Sequence, residues 1–125
     1  MEGVISTVNA PAAIGPYSQG RAAGCGLVFV SGQLPVDPET GEMAADVSEQ
    51  TRRSLENVRS ILKAAGTDME HVVKTTVFLQ HMEDFAAMNE VYKGFFDGAF
   101  PARSAVEVAK LPKGALVEIE AVAET

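Results

Sequence analysis

The last quarter of the chain constrains the fold most, because apolar and polar residues alternate along it. From Leu116 to Ala123 every second residue is apolar, and the residues between them include Glu118 and Glu120. Successive side chains of a β-strand point to opposite faces of a sheet, so this segment is predicted to be a strand with one face in the core. A second alternating segment runs from Arg103 to Ala109, and Leu-Pro-Lys-Gly at 111–114 has the composition of a turn.

The parity of these two strands predicts a cluster of charged groups. Arg103 and Glu107 share one side of the earlier strand, and Glu118 and Glu120 share one side of the later strand. If the turn closes an antiparallel hairpin with an even number of loop residues, Arg103 and Glu118 lie on the same face of the sheet. This surface has two interpretations: a cross-strand ion pair on a solvated face, or a small-molecule site.

The rest of the chain predicts short strands and two amphipathic helices. Asp46, followed three residues later by Glu49, has the form of a capping box, and apolar residues then recur at helical spacing until Gly66. A second helical pattern begins around Phe85 and ends near Gly98. The remaining predicted strands are about Ile5 to Val8, Tyr17 to Ala23, Leu27 to Ser31 and Val72 to Leu79.

The order of elements predicts an α+β fold in a single domain over residues 1–125, a length that can bury an ordinary core. We expect one mixed sheet with both helices on one face, because each helix has a single apolar stripe to bury. The other face would be too apolar for water and too polar for a dry core, and self-association with ligand clefts between subunits resolves this conflict. That face would carry Arg103, Ala105, Leu116, Glu118, Glu120 and Val122.

Charge and cysteine content argue against several classes of protein. The net charge is −7, from 10 basic and 17 acidic residues, which opposes a nucleic-acid backbone or an anionic membrane as the main partner. Cys25 is the single cysteine, so there is no internal disulfide framework. The first residues lack a basic segment followed by an apolar run, and no stretch approaches the roughly 18 apolar residues of a membrane span. We therefore expect a cytoplasmic protein without a membrane partner.

Other reactive residue types do not form a recognisable motif. His71 and His81 lie ten residues apart, without the Cys or carboxylate spacing that completes a metal site. Cys25, between Gly24 and Gly26, has no adjacent cationic residue to favour its thiolate. We predict no metal and no cofactor, and surface positions for both histidines.

Five motifs occur in order along the chain. They are Asn9-Ala-Pro-Ala-Ala-Ile-Gly-Pro-Tyr-Ser-Gln19, Ser31-Gly-Gln-Leu-Pro-Val36, Val73-Lys-Thr-Thr-Val-Phe78, Phe100-Pro-Ala-Arg-Ser104 and Val117-Glu-Ile-Glu-Ala121. With them the chain resembles, over essentially its whole length, the RidA (YjgF-like) family of reactive intermediate deaminases. The resemblance implies a chorismate-mutase-like α+β fold and a homotrimer with three clefts between subunits. It also implies hydrolysis of 2-imino acids such as 2-iminopropanoate and 2-iminobutanoate, in equilibrium with their enamines, to 2-oxo acids and ammonia.

The resemblance further implies roles for individual residues. Arg103 falls on the family's carboxylate-binding arginine, and Glu118 falls on the residue thought to position or activate water. Many members have cysteine two residues after the arginine, where this chain has Ala105, so a thiol contribution is excluded there. The residues implied to bind substrate, besides Arg103, are Tyr17, Ser31, Gly32, Asn89 and the backbone of Ala105.

The chemistry of this reaction suits these residue types. A guanidinium can hold the planar carboxylate of a 2-imino acid through two parallel hydrogen bonds, a geometry that lysine cannot reproduce. Imines are already electrophilic, so the reaction needs positioning and one proton-transfer group but neither a metal nor a covalent nucleophile. Two alternatives remain: a non-catalytic trimer that binds 2-oxo acids, for which Glu118 is dispensable, and an RNA-directed ribonuclease or translation inhibitor, which the acidic composition opposes.

Overall fold

The computed structural model describes residues 3–125, and six of its strands form one mixed sheet in the order β1-β2-β3-β6-β4-β5. All neighbouring strands are antiparallel except β4 and β5, which are parallel. The strands are β1 (Val4–Ile5), β2 (Gly20–Ala22), β3 (Leu27–Gln33), β4 (Val72–Leu79), β5 (Ala102–Glu107) and β6 (Val117–Glu124), and the helices are α1 (Val47–Ala64) and α2 (Phe85–Tyr92).

Both helices pack on one face of the sheet, as the amphipathic patterns predict. α1 contacts β3, β6 and α2, and the buried side chains of helices and strands form one cluster. Each large apolar side chain buried there contributes about 1.5–3 kcal/mol to the free energy of unfolding. The opposite face is open in the single chain, where Phe29 and Val106 are 46% and 43% exposed. We call it the open face; its other members include Thr76, Phe78, Glu118, Glu120 and Val122.

Local signals predict α1 and β4 well. The side chain of Asp46 accepts a hydrogen bond of 2.8 Å from the backbone N–H of Glu49, which caps the first turn of α1. Gly66, with φ of +83°, follows the last turn and takes the left-handed conformation that ends many helices. β4 spans Val72–Leu79, as predicted.

Three other elements differ from their predicted bounds. The first strand ends at Ile5 because the side-chain amide of Gln19 bonds both the N–H and the C=O of Thr7, which removes them from the sheet. The second strand begins only at Gly20, since Tyr17 donates its N–H to Gly15 in a turn. α2 ends at Tyr92, and a 3₁₀ turn, Lys93–Phe95, continues the chain.

The predicted hairpin between the last two strands is wrong, because β4 lies between β5 and β6. The connecting segment passes over the end of β4 and is held there by Gln80. The Gln80 side chain bonds the C=O of Ala109 and the N–H of Leu111, and its backbone N–H donates to Leu116. β5 and β6 are therefore placed on opposite sides of β4.

This strand order also overturns the predicted face of Arg103. In the parallel register, Arg103 pairs with Thr75, which is buried beneath the helices. Glu118 pairs with Phe78 in the antiparallel register, and this pair faces the open side. Arg103 and Glu118 of one chain thus lie on opposite faces of the sheet.

Candidate active site

Arg103 lies on the edge strand β5, where α2 covers the helix side of the sheet. One of its terminal nitrogens, Nη1, donates a 2.6 Å hydrogen bond to Oδ1 of Asn89. The central guanidinium carbon is 4.8 Å from the ring centroid of Tyr92 and 5.3 Å from that of Phe85. The guanidinium is half-buried, and among residues 3–125 no carboxylate forms a salt bridge with it.

A cavity of about 440 Å³ opens beside Arg103. Lys93, on its wall, is already paired with Glu90 at 2.9 Å, so the guanidinium is the cation left to meet an anionic ligand. Ala105, two residues along β5, lies on the same face as Arg103 and packs partly against the core. The cavity is lined by Asn89, Glu90, Tyr92, Lys93, Phe100, Pro101 and Arg103.

Glu118 lies on the open face of β6, directly against β3. Burial raises the pKa of its carboxyl above the usual range, and the negative charge of Glu120 raises that pKa further. Gly32 leaves the space that the carboxylate occupies: a Cβ at position 32 would lie 3.0 Å from Cδ of Glu118. A partly desolvated carboxylate with a raised pKa takes up a proton more readily than an exposed one, a property that suits a proton-transfer group.

Tyr17, Ser31 and Gly32 lie on the same side as Glu118. Ser31 and Gly32 fall in the register shift of β3 between Val30 and Gln33. The hydroxyl of Ser31 donates to the C=O of Ser18 at 2.6 Å, which fastens the Tyr17 loop to β3. Tyr17 is 49% exposed and lines a small cavity with Gly32.

The site residues predicted from sequence therefore form two separate groups. We call Arg103, Asn89 and Ala105 the arginine half-site, and Tyr17, Ser31, Gly32 and Glu118 the glutamate half-site. Each half-site is assembled within the chain, but the sheet separates one from the other. The prediction that Arg103 and Glu118 share a face is wrong for a single copy.

Sequence reasoning missed two residues that hold the segments beside the glutamate half-site in place. The side chain of Gln50 accepts the N–H of Leu116 at 2.8 Å, two residues before Glu118. Asn57 donates to the C=O groups of Leu34 and Val36, which follow Gly32. Both residues are buried polar positions on α1, and polar residues at otherwise apolar helix positions are the signal that would have found them.

Comparison with known proteins shows which family the chain belongs to. The family described as Endoribonuclease L-PSP matches residues 7–125. The 2-iminobutanoate/2-iminopropanoate deaminase of Salmonella typhimurium is 56% identical over 126 residues, covering 98% of both chains. The chain belongs to this RidA (YjgF-like) family.

Two solved structures of the family match the fold closely. Escherichia coli TdcF with bound serine superposes with a TM-score of 0.94 at 53% identity, covering 98% of each chain. The YjgF gene product of E. coli superposes with a TM-score of 0.93 at 52% identity, covering 97% of each chain. The predicted α+β fold, one mixed sheet with two helices, is thus confirmed.

The remaining reactive residues of this RidA-family chain lie outside both half-sites. Nδ1 of His71 is 2.7 Å from Asp68 on the surface, His81 is exposed, and Cys25 is exposed in the turn after β2. Within the described chain, no group of three His, Cys, Asp or Glu side chains is placed to hold a metal ion. No helix among residues 3–125 combines the length and apolarity needed to cross a bilayer.

Proposed function

We propose that this chain is a hydrolytic deaminase of reactive 2-imino acids and their enamines, producing 2-oxo acids and ammonia. We further propose that it acts as a homotrimer in which the arginine half-site of one copy meets the glutamate half-site of the next. The activity for which its relative from Salmonella is named supports the reaction. The separation of Arg103 and Glu118 on opposite faces supports the assembly, because only a second copy can bring them together.

The arginine half-site binds the substrate carboxylate. Arg103 has donors beyond the Nη1 used by Asn89, and a guanidinium offers them in the planar fork that matches a carboxylate. The backbone N–H of Ala105 is the second donor to the same carboxylate. Because no carboxylate among residues 3–125 forms a salt bridge with Arg103, the substrate supplies the missing negative charge.

The glutamate half-site supplies water activation. The substrate reacts as the protonated imine: the Glu118 carboxylate takes a proton from a water molecule whose oxygen bonds to C2, and the C=N π electrons move to nitrogen, giving a neutral carbinolamine. The protonated Glu118 then gives its proton to the amine nitrogen. The C–N bond breaks, ammonia leaves with the bonding pair, and the C2 hydroxyl passes its proton to the Glu118 carboxylate as it becomes the carbonyl; Glu118 finally releases that proton to solvent. General acid–base catalysis of this kind contributes about 10²–10⁴-fold to the rate.

The residues around Glu118 determine where the substrate binds. Gly32 lacks a side chain where Glu118 crosses β3, so the carboxylate can lie directly against the backbone of that strand, beside the place proposed for the substrate. Tyr17 closes the cleft from its loop, and Asn89 keeps the guanidinium oriented from the neighbouring copy. Enamine substrates first gain a proton at C3 to become protonated imines, after which the steps are the same.

Complementation between two inactive variants tests both parts of the proposal. Arg103→Ala and Glu118→Gln each remove one half-site and are expected to lose nearly all turnover. In co-expressed mixed oligomers at equal amounts, a working cleft needs Arg103 from one copy and Glu118 from the next, so about a quarter of the wild-type clefts are restored. Turnover is measured by generating 2-iminobutanoate from threonine with a dehydratase and following competition with a semicarbazide trap.

Each result has a distinct meaning. Recovery near a quarter of wild-type turnover supports a shared cleft, whereas no recovery in verified mixed oligomers contradicts it. A wild-type protein that fails to accelerate imine loss contradicts the deaminase. Normal turnover by Glu118→Gln would contradict the proposed role of Glu118, whereas a wild-type protein that binds 2-oxobutanoate without accelerating imine loss would favour the non-catalytic binder.

The family description also names an endoribonuclease, which keeps an RNA-directed activity as the alternative. The net charge of −7 opposes it, because affinity for nucleic acid depends mainly on cationic contacts to phosphates. Single-stranded RNA binding measured between low and physiological salt separates the two. Tight, salt-sensitive binding with cleavage would favour the alternative over the deaminase.

A further inference from the structure

We infer that the rings of Phe85 and Tyr92 form an aromatic clamp that fixes the guanidinium plane of Arg103, which makes both of them positioning residues for the substrate carboxylate. The substrate named here rests on the proposed function. The clamp itself lies within one chain and is tested separately below.

The clamp is built by one face of α2. Phe85, Asn89 and Tyr92 are four and three residues apart, the spacing that brings side chains together on a helix. All three meet Arg103: the two rings at 5.3 and 4.8 Å from the guanidinium carbon, and Asn89 through a 2.6 Å hydrogen bond. β5 thus supplies the cation, and α2 supplies the two rings and the amide oxygen that contact it.

Tyr92 is the fixed wall of the clamp. Its hydroxyl is 2.6 Å from the hydroxyl of Thr75, and the two residues are only 4% and 1% exposed. Thr75 is in turn the register partner of Arg103 in the β4–β5 pair. The ring is therefore held from its far end by the strand that neighbours the arginine. Phe85, at the start of α2, is half-buried, and its ring is the second one that contacts the guanidinium.

The physical value of rings at this position is that they stabilise a cation without neutralising it. A carboxylate neighbour would occupy the donors of Arg103 and compete with the substrate. The faces of two rings and one amide oxygen attract the guanidinium and leave its remaining donors free. Restricting the long arginine side chain before binding also lowers the entropy lost when substrate binds.

Arg59 provides the contrast within the same chain. Its guanidinium lies 4.7 Å from the ring of Phe95, yet it also pairs with Glu56 at 2.9 Å. That arrangement is an ordinary surface ion pair with a ring beside it. Phe95→Leu is therefore a matched control, because it removes a ring that covers an arginine outside the half-sites.

The test compares Phe85→Leu, Tyr92→Leu and Tyr92→Phe with Phe95→Leu. Loss of either ring is expected to raise the KM for the imine by about tenfold and to change kcat by less than about threefold, since carboxylate binding acts in ground and transition states alike. Tyr92→Phe keeps the ring and recovers most of the affinity lost in Tyr92→Leu. A merely structural role would lower the active fraction, and so apparent kcat, while leaving KM unchanged.

A double-mutant cycle connects the clamp to Arg103. In an Arg103→Ala background, Phe85→Leu and Tyr92→Leu should have no further effect on the affinity for 2-oxobutanoate measured by calorimetry. Equal effects in both backgrounds, or a KM change in Phe95→Leu as large as in Phe85→Leu, would overturn the clamp.

A third readout needs no ligand, so it remains valid if the deaminase proposal fails. The ring currents of Phe85 and Tyr92 should shift the NMR signal of the Arg103 Nε–Hε proton. This signal, identified by its loss in Arg103→Lys, should therefore have a different chemical shift in wild type than in Phe85→Leu or Tyr92→Leu. A signal at the same position in wild type and both leucine variants contradicts the clamp, whatever the protein's activity.

Discussion

Gly32 and Glu118 lie in direct contact across the β3–β6 pair, with no room for a side chain at position 32. A Cβ there would come within 3.0 Å of Cδ and 3.3 Å of Cγ of Glu118. Gly32→Ala should therefore displace the carboxylate and lower kcat/KM by about 100-fold, because a shift of about 1 Å in a catalytic group is that costly. Unfolding free energy should change by less than about 1 kcal/mol, since the atoms that must move belong to one side-chain end.

Gly24→Ala is the control for this substitution. Gly24 has no heavy atom within 4 Å of an added Cβ and does not require a positive φ. It should match wild type in both kcat/KM and melting temperature. Full activity of Gly32→Ala would show that the proximity of Gly32 to Glu118 has no role in turnover.

Arg103→Lys should lose most activity although the charge is kept. Lysine cannot form the two parallel hydrogen bonds to a carboxylate, and hydrogen bonds to charged groups are worth about 1.5–3 kcal/mol, so kcat/KM should fall by roughly 10- to 100-fold. Light scattering should give the same oligomer mass as wild type. Near-normal turnover in this variant would rule out the bidentate role.

Glu120→Gln should change the pH dependence of turnover. Burial first and the charge of Glu120 second raise the pKa of Glu118, so removing that charge lowers the pKa and keeps Glu118 ionised in more acidic solution. The acid limb of kcat/KM should move to lower pH. Glu124→Gln removes a charge from the same strand six residues from Glu118, about 20 Å away, and should leave the limb in place. An unchanged acid limb in Glu120→Gln would show that this limb does not report the ionisation of Glu118.

The surface pair of His71 and Asp68 predicts a second pH effect. The hydrogen bond and charge of Asp68 raise the pKa of His71 above 6.5, and the same hydrogen bond lowers the pKa of Asp68 below 3.8. The contribution of His71 to stability is complete below pH 6.5 and is lost as pH rises through its raised pKa. That of Asp68 is present above pH 3.8 and is lost as pH falls through its lowered pKa.

Asp68→Asn should therefore return the pKa of His71 toward 6.5. It should reduce stability mainly between pH 3.8 and pH 6.5, where both groups now contribute. The asparagine side chain can still accept the N–H of Glu70, which Asp68 now accepts at 3.0 Å, so the 3₁₀ turn is kept. Titration of the His71 ring protons by NMR measures the shift. Glu70→Gln should act in the same direction but less, and an unchanged His71 titration in Asp68→Asn would contradict the pairing.

The arginine half-site shows why some of the site was predictable and some was not. Arg103 was named from a motif and Asn89 from the family resemblance, but their hydrogen bond to each other was not predicted. That Phe85 and Tyr92 cover the guanidinium was not predicted, although their spacing with Asn89 on one helix face was readable. Which strand this helix face covers depends on how the chain packs, and local periodicity does not contain that information.

The elements with local sequence signals were predictable from the sequence alone. The cap at Asp46, the glycine at 66 and the apolar run of 72–79 define α1 and β4, because caps, left-handed positions and β-branched residues act within a few residues of themselves. The alternation along residues 117–124 also determined correctly that Glu118 and Glu120 share the face opposite Ile119.

That Arg103 and Glu118 lie on opposite faces follows from the packing of the strands and was not predictable from the sequence. Alternation states which residues of one strand share a side, but relating two strands requires knowing which strand lies between them. Here Gln80 holds the connecting segment over the end of β4. β5 and β6 therefore pair with opposite edges of β4 and not with each other. Strand order follows from hydrogen bonds and burial between segments distant in sequence, and these have no signature within either strand.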